Sequence, residues 1–101
     1  MSRKLTGVGA VLSAAHVSRD RKSTHGHTWE IVAWFPAKND ALMLQYSLNE
    51  EVGRLDHSIL PDELAWGEEL AAYIGRMLQE LGCIAVDVSR PSERIFARWE
   101  R

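Results

Sequence analysis

Three of the chain's histidines have the type and spacing to do chemistry together: His16, His25 and His27. His25 and His27 flank Gly26 in "STHGHTWEIVAWF". An extended backbone there sends residues i and i+2 to one side, and the glycine puts no side chain between them. His16 closes "LSAAH", and hairpin pairing of the two segments brings it beside the His-x-His pair. Three imidazoles with no fourth protein ligand suit a zinc site whose open position takes water or substrate. Iron, nickel or cobalt would accept the same donors, and a loop of merely solvated histidines is the plain alternative.

The remaining histidine lies in "RLDHSIL", where Asp56 directly precedes His57. A carboxylate beside an imidazole orients a proton-transfer group and holds it near neutral pH. Adjacent residues on a helix do not face each other, so a structural duty at a helix end accounts for the pair as well. Cys83 is the single cysteine. It cannot close an intramolecular disulfide, which fits a reducing compartment and makes cytoplasm the expected location. Its own place is that of a small buried hydrophobe.

The elements that must position these residues follow from periodicity. Val8, Ala10, Leu12, Ala14 and His16 alternate onto one side of a strand from Thr6 to His16. "HVSRDRKST" has the composition of an exposed loop. His27 to Phe35, rich in β-branched and aromatic residues and closed by Pro36, reads as a second strand antiparallel to the first. In "LNEEVGRLDHSIL", Leu48, Val52 and Leu55 predict a short helix, with Ser47 as N-cap and Glu50 completing a capping box. Helical spacing from Trp66 to Leu81 predicts a second helix, and Gly82 stands where a C-cap belongs. "CIAVDVS" and "RIFARWE" alternate as a third and fourth strand around the turn "RPSE". The order is ββααββ.

Composition bounds the rest. A chain of 101 residues with 46% hydrophobic content makes one domain over residues 1–101. A net charge of −2 gives no strong field toward nucleic acid or an anionic membrane. No apolar run approaches the roughly 20 residues of a membrane span. Arg3 and Lys4 before "LTGVGAVLSAA", with Ser13-Ala14-Ala15 in a small-x-small pattern, have the outline of a signal peptide. Thr6, Gly7 and Gly9 interrupt that run, and a strand continuing to His16 accounts for it better.

"LSAAH", "HGH" and "LDHSIL", in that order over a ββααββ pattern, resemble the 6-pyruvoyl-tetrahydropterin synthase and 6-carboxy-tetrahydropterin synthase family. The resemblance covers nearly the whole chain. It implies an α+β tunnelling fold: a four-stranded antiparallel sheet with two helices on one face, whose strands complete an oligomeric barrel as a trimer or a hexamer of two stacked trimers. It implies zinc on His16, His25 and His27, proton transfer by Asp56 and His57, and a site between subunits for a dihydroneopterin triphosphate-like pterin. The family's glutamate in the first turn of the second helix matches Glu68, although the usual Pro-Thr before it is here Ala65-Trp66.

Two departures qualify that likeness. The positions where the family carries its catalytic cysteine hold Arg19 and Arg21, with Asp20 between them as a candidate base. At the end of the third strand, where the family's glutamate pairs with the aminopyrimidine edge, stands Arg90, which has no acceptor. Glu93 would replace that glutamate only through a reshaped loop. Two expectations follow: a zinc-dependent carbon-oxygen lyase with altered acid-base chemistry, or an inactive zinc-containing oligomeric module that binds a purine-like or anionic ligand.

Overall fold

A computed structural model describes residues 2–17, 24–37 and 39–101, and of Val17, Thr24 and His25 it describes the backbone alone. β1 (Leu5–Val17) and β2 (Thr24–Pro36) pair antiparallel along their whole length, from Leu5 opposite Pro36 to Val17 opposite Thr24. Then come α1 (Ala41–Gly53), α2 (Gly67–Met77), β3 (Ala85–Arg90) and β4 (Ile95–Glu100). The sheet order is β1-β2-β3-β4, antiparallel throughout, which is the expected ββααββ architecture.

Period-two alternation decides which face is buried. Val8, Leu12 and Ala14 of β1 join Trp29, Ile31, Ala33 and Phe35 of β2 and Val86 and Val88 of β3 on a buried inner face. Leu44, Leu48 and Val52 of α1 and Leu70, Ala71 and Ile74 of α2 complete that core. Each buried Val, Leu, Ile or Phe among them contributes roughly 1.5–3 kcal/mol by leaving water. His16 and His27 continue the same alternation, so the strands that build the core also deliver the histidines to its rim.

Both helices depart from their expected bounds. α1 begins after Asp40, whose Oδ1 accepts from the Leu42 and Met43 amides at 3.1 and 3.4 Å. That cap satisfies two of the N–H groups a helix start leaves open. Ser47 therefore lies mid-helix, and the expected capping box with Glu50 is not the start. α2 runs only to Met77, and a tight 3-10 turn, Gln79–Leu81, carries the chain on to Gly82. Gly82 closes it with φ 92, a left-handed conformation that glycine takes without steric penalty. Gly75 has a different reason to be glycine: a methyl group there would collide with the Trp99 ring of β4.

The free edge of β1 is partly covered. Residues 57–60 run alongside it, with the Ala15 amide donating to the Ser58 carbonyl at 2.9 Å and the Leu60 amide to the Ala15 carbonyl at 2.7 Å. Gln45 of α1 donates its side-chain amide to the Gly9 carbonyl farther along the same edge. Among the described residues no helix is long and apolar enough to cross a membrane.

Candidate functional site

The end of the β1–β2 hairpin gathers the histidines. The register sets His16 opposite His25 and Ala14 opposite His27. The Nε2 atoms of His16 and His27 face each other at 2.9 Å, and the rings stack with centroids 4.8 Å apart. Trp29, two residues along β2 and buried, meets the His27 ring edge-on at 5.4 Å. The His25 side chain lies outside the described residues, as do Arg19, Asp20 and Arg21. Among the described residues no group of three histidine, cysteine, aspartate or glutamate side chains is placed to hold a metal ion.

The pair that is described has the donor type of a zinc site and is within hydrogen-bond distance, Nε2 to Nε2. With Zn–N bonds of about 2.0–2.1 Å, two nitrogens of a tetrahedral site lie about 3.3 Å apart, so the rings would part by only a few tenths of an ångström.

Arg90 enters the same cluster from β3. Because Glu30 pairs with Ser89, the end of β3 lies beside the start of β2. The Arg90 Nη1 stands 3.0 Å from both His27 Nδ1 and His27 Nε2. Its Nη2 lies 3.4 Å from Glu93 Oε2, and Glu93 Oε1 is 3.8 Å from His27 Nδ1. Arg94, left-handed at φ 57, follows the 3-10 turn Pro91–Glu93 that reverses the chain. Both residues expected at the ligand-recognition end are thus gathered around one of the expected metal ligands. A fixed guanidinium charge so close opposes a divalent ion at that ring, so metal binding requires Arg90 to swing toward Glu93.

These groups border a cavity of about 280 Å³ beneath the first turn of α2, lined among others by His16, Trp29, Trp66, Glu68 and Arg90. Glu68, which the resemblance matches to a family glutamate, is among the residues lining this cavity. Trp29 and Trp66 belong to the site as well. The sequence reading missed them because aromatic residues at strand and helix spacing look like core.

Asp56 and His57 sit elsewhere. The His57 Nδ1 lies 2.9 Å from Asp56 Oδ2, so the two are directly paired despite adjacency. His57 is past the helix end with φ 58, and that left-handed backbone turns its ring back onto the preceding carboxylate. Asp56 Oδ1 accepts the Ser13 amide at 2.8 Å. This bond, more than the neighbouring imidazole, holds the Asp56 carboxyl below the ordinary aspartate range, while partial burial opposes it. His57 borders an open groove of about 470 Å³ lined also by Ser13, Ala15, Gly26, His27 and Thr28. Ser13, Ala15, Gly26 and Thr28 alternate onto the outer face, away from His16 and Trp29. Ser13 was not legible as a partner, because its contribution is a backbone amide on a strand edge.

Cys83 is fully buried, donates to the Ala85 carbonyl at 3.5 Å, and burial pushes its thiol up. It takes no part in either cavity.

No protein-family model matches the chain, and no curated protein matches it. Among solved structures, 6-pyruvoyl tetrahydropterin synthase of Caenorhabditis elegans superposes with a TM-score of 0.74 at 15% identity, over 100% of this chain and 99% of its own. The fold is therefore that of a tetrahydropterin synthase-like tunnelling fold.

Proposed function

We propose that this chain is a zinc-dependent lyase on a tetrahydropterin synthase scaffold, acting on a dihydroneopterin triphosphate-like pterin with altered acid-base chemistry. The observation that carries the reading is the convergence of His16 and His27, Nε2 to Nε2, at the strand ends of a fold shared with a 6-pyruvoyl tetrahydropterin synthase. His16, His25 and His27 would hold the ion, and zinc bound there supplies Lewis-acid polarisation of the substrate's side-chain oxygens.

The chain's own residues account for proton movement. Asp56 fixes the His57 ring through Nδ1 and leaves Nε2 to take or give a proton at the substrate carbon. With arginines where the family has its thiol, that duty rests on this pair. The His57 side chain is 82% exposed, so water has free access to it in a single chain. A neighbouring copy covering the groove would exclude that water, and the outer edge of β4 offers backbone groups for such pairing. A homo-oligomer, trimer or hexamer, is part of the proposal, as is a cytoplasmic location.

One observation favours a second reading, a zinc-containing oligomeric module that binds a purine-like or anionic ligand without turnover. Arg90 places a donor-only cation on His27 where the family has an acceptor.

Metal analysis and turnover of dihydroneopterin triphosphate by the purified protein separate the readings. The expected result is about one zinc per chain and measurable loss of triphosphate. His27→Ala should lose the metal, and His57→Ala should keep it while losing turnover by about 10²-fold or more. Full zinc with no turnover leaves the binding module, and no zinc in the unaltered protein overturns both.

A further inference from the structure

The far end of the sheet carries a concavity that belongs to neither site described above. At about 3.3 Å per residue, β1 runs roughly 35 Å from His16 back to Leu5, so this end lies well away from the histidines. There a cavity of about 340 Å³ is lined among others by Arg3, Leu5, Ala85, Arg98, Glu100 and Arg101. Three guanidinium groups share that space with the Glu100 carboxylate, in a chain whose net charge is −2. Like charges gathered in one hollow repel, and a bound anion relieves that repulsion.

Arg98 is held in place before any ligand arrives. Its Nη1 donates to both carboxylate oxygens of Asp87, its register partner on β3, at 2.8 Å, and its Nε donates to Glu100 Oε1 at 2.8 Å. Asp87 in turn accepts the indole N–H of Trp34 at 2.8 Å. That indole lies over Gly7, where any side chain would collide with its ring. A chain of contacts across all four strands therefore fixes the guanidinium and leaves Nη2 without a partner among the described residues. A free surface arginine loses rotamer entropy when it grips an anion, and one already held loses little. Arg3 and Arg101, both exposed, bring two further forks of N–H donors to the same hollow. Glu100 opposes any anion there, so an occupant needs several oxygens and more than one negative charge to outweigh it. Guanidinium forks match the oxygens of phosphate groups in this way.

We infer that this cavity binds a multiply charged oxyanion of the phosphate class on Arg3, Arg98 and Arg101. The site is separate from the histidine cluster, and the inference does not rest on the lyase reading.

The test is calorimetric titration of sodium pyrophosphate, and separately of orthophosphate, into the purified metal-loaded protein at fixed ionic strength. Pyrophosphate should bind at least about 10-fold more tightly, because its oxygens reach more than one fork. Arg98→Gln and Arg101→Gln should each weaken it by about 10-fold or more, the loss of one charge-assisted hydrogen bond. Glu100→Gln should tighten it by about 2- to 5-fold, since an exposed opposing charge is removed. His27→Ala, expected to lack the metal, should bind as the unaltered protein does. Thermal melts establish that each variant is folded, and Arg101→Gln, at an exposed position, keeps the test decisive should Arg98→Gln unfold β4. Unchanged affinity in Arg101→Gln, weaker binding in Glu100→Gln, or equal affinity for the two probes would overturn the inference. So would no binding at all, or loss of binding in His27→Ala, which would put the anion on the metal. A chain that binds pyrophosphate here yet never consumes a pterin refutes the lyase and leaves this site standing.

Discussion

The two faces of one four-stranded sheet differ in what surrounds their candidate residues. On the inner face, His16, His27 and Arg90 stand at the rim of a helix-covered core, next to buried Trp29, on three neighbouring strands of the sheet. On the outer face, His57 lines an open groove, and Asp56 and His57 are both held by backbone bonds to a strand edge. The inner set is positioned by hydrophobic packing, which is stiff; the outer set by hydrogen bonds to Ser13 and Ala15, which water can compete for. A group that binds a ring or an ion benefits from the first arrangement. A group that must pass protons benefits from the second, provided something later excludes water.

The largest expected effect breaks the comparison at the packing itself. Ile31→Ala, at a fully buried inner-face position, should destabilise the chain by about 2–5 kcal/mol. Val11→Ala, at a 59% exposed position of the neighbouring strand, should shift stability by about 0.5 kcal/mol or less. Urea unfolding of the two variants measures the difference. A penalty at Val11 that grows with protein concentration would instead show the outer face covered by another copy.

A smaller effect is expected at Gly75. A methyl group there must displace the Trp99 ring, so Gly75→Ala should cost about 1–3 kcal/mol although alanine is the better helix former. Denaturation monitored by tryptophan fluorescence checks both the loss and the changed environment of Trp99. An unchanged midpoint would mean that β4 does not press on α2 as described.

The smallest effect sharpens the outer-face side. The Asp56 carboxyl titrates below its unfolded value of about 3.9, so the stability it contributes is fully present above that pH and is lost as pH falls through the folded value. Asp56→Asn should remove this acid-side slope. Stability curves from pH 6 down to 2.5 for both proteins measure it, and equal slopes would show that the Ser13 amide does not hold the carboxylate.

Much of the fold was legible because its elements are strongly periodic. Alternation in Val8 to His16 and in His27 to Phe35 put both histidines on the core side, and the hairpin followed from their proximity in the chain. α1 was less legible: "AKND" looks like loop, and only the Asp40 side chain turning back on the Leu42 and Met43 amides starts the helix there. The Asp56–His57 contact was open from sequence because adjacency forbids it on a helix, and the left-handed backbone of His57 is what permits it. Arg90 was legible as a departure from the family pattern, but its contact with His27 was not.

By itself the sequence determined the order of elements, the buried face of each strand and the candidate chemistry, since all of these depend on local spacing and residue type. Tertiary structure alone decided which of those residues share a site. Arg90 reaches His27 because β3 pairs with β2, and Ser13 holds Asp56 because the segment after α1 runs along a strand edge. Contacts of that range are fixed by how the sheet closes on its core, and no local pattern of side chains encodes them.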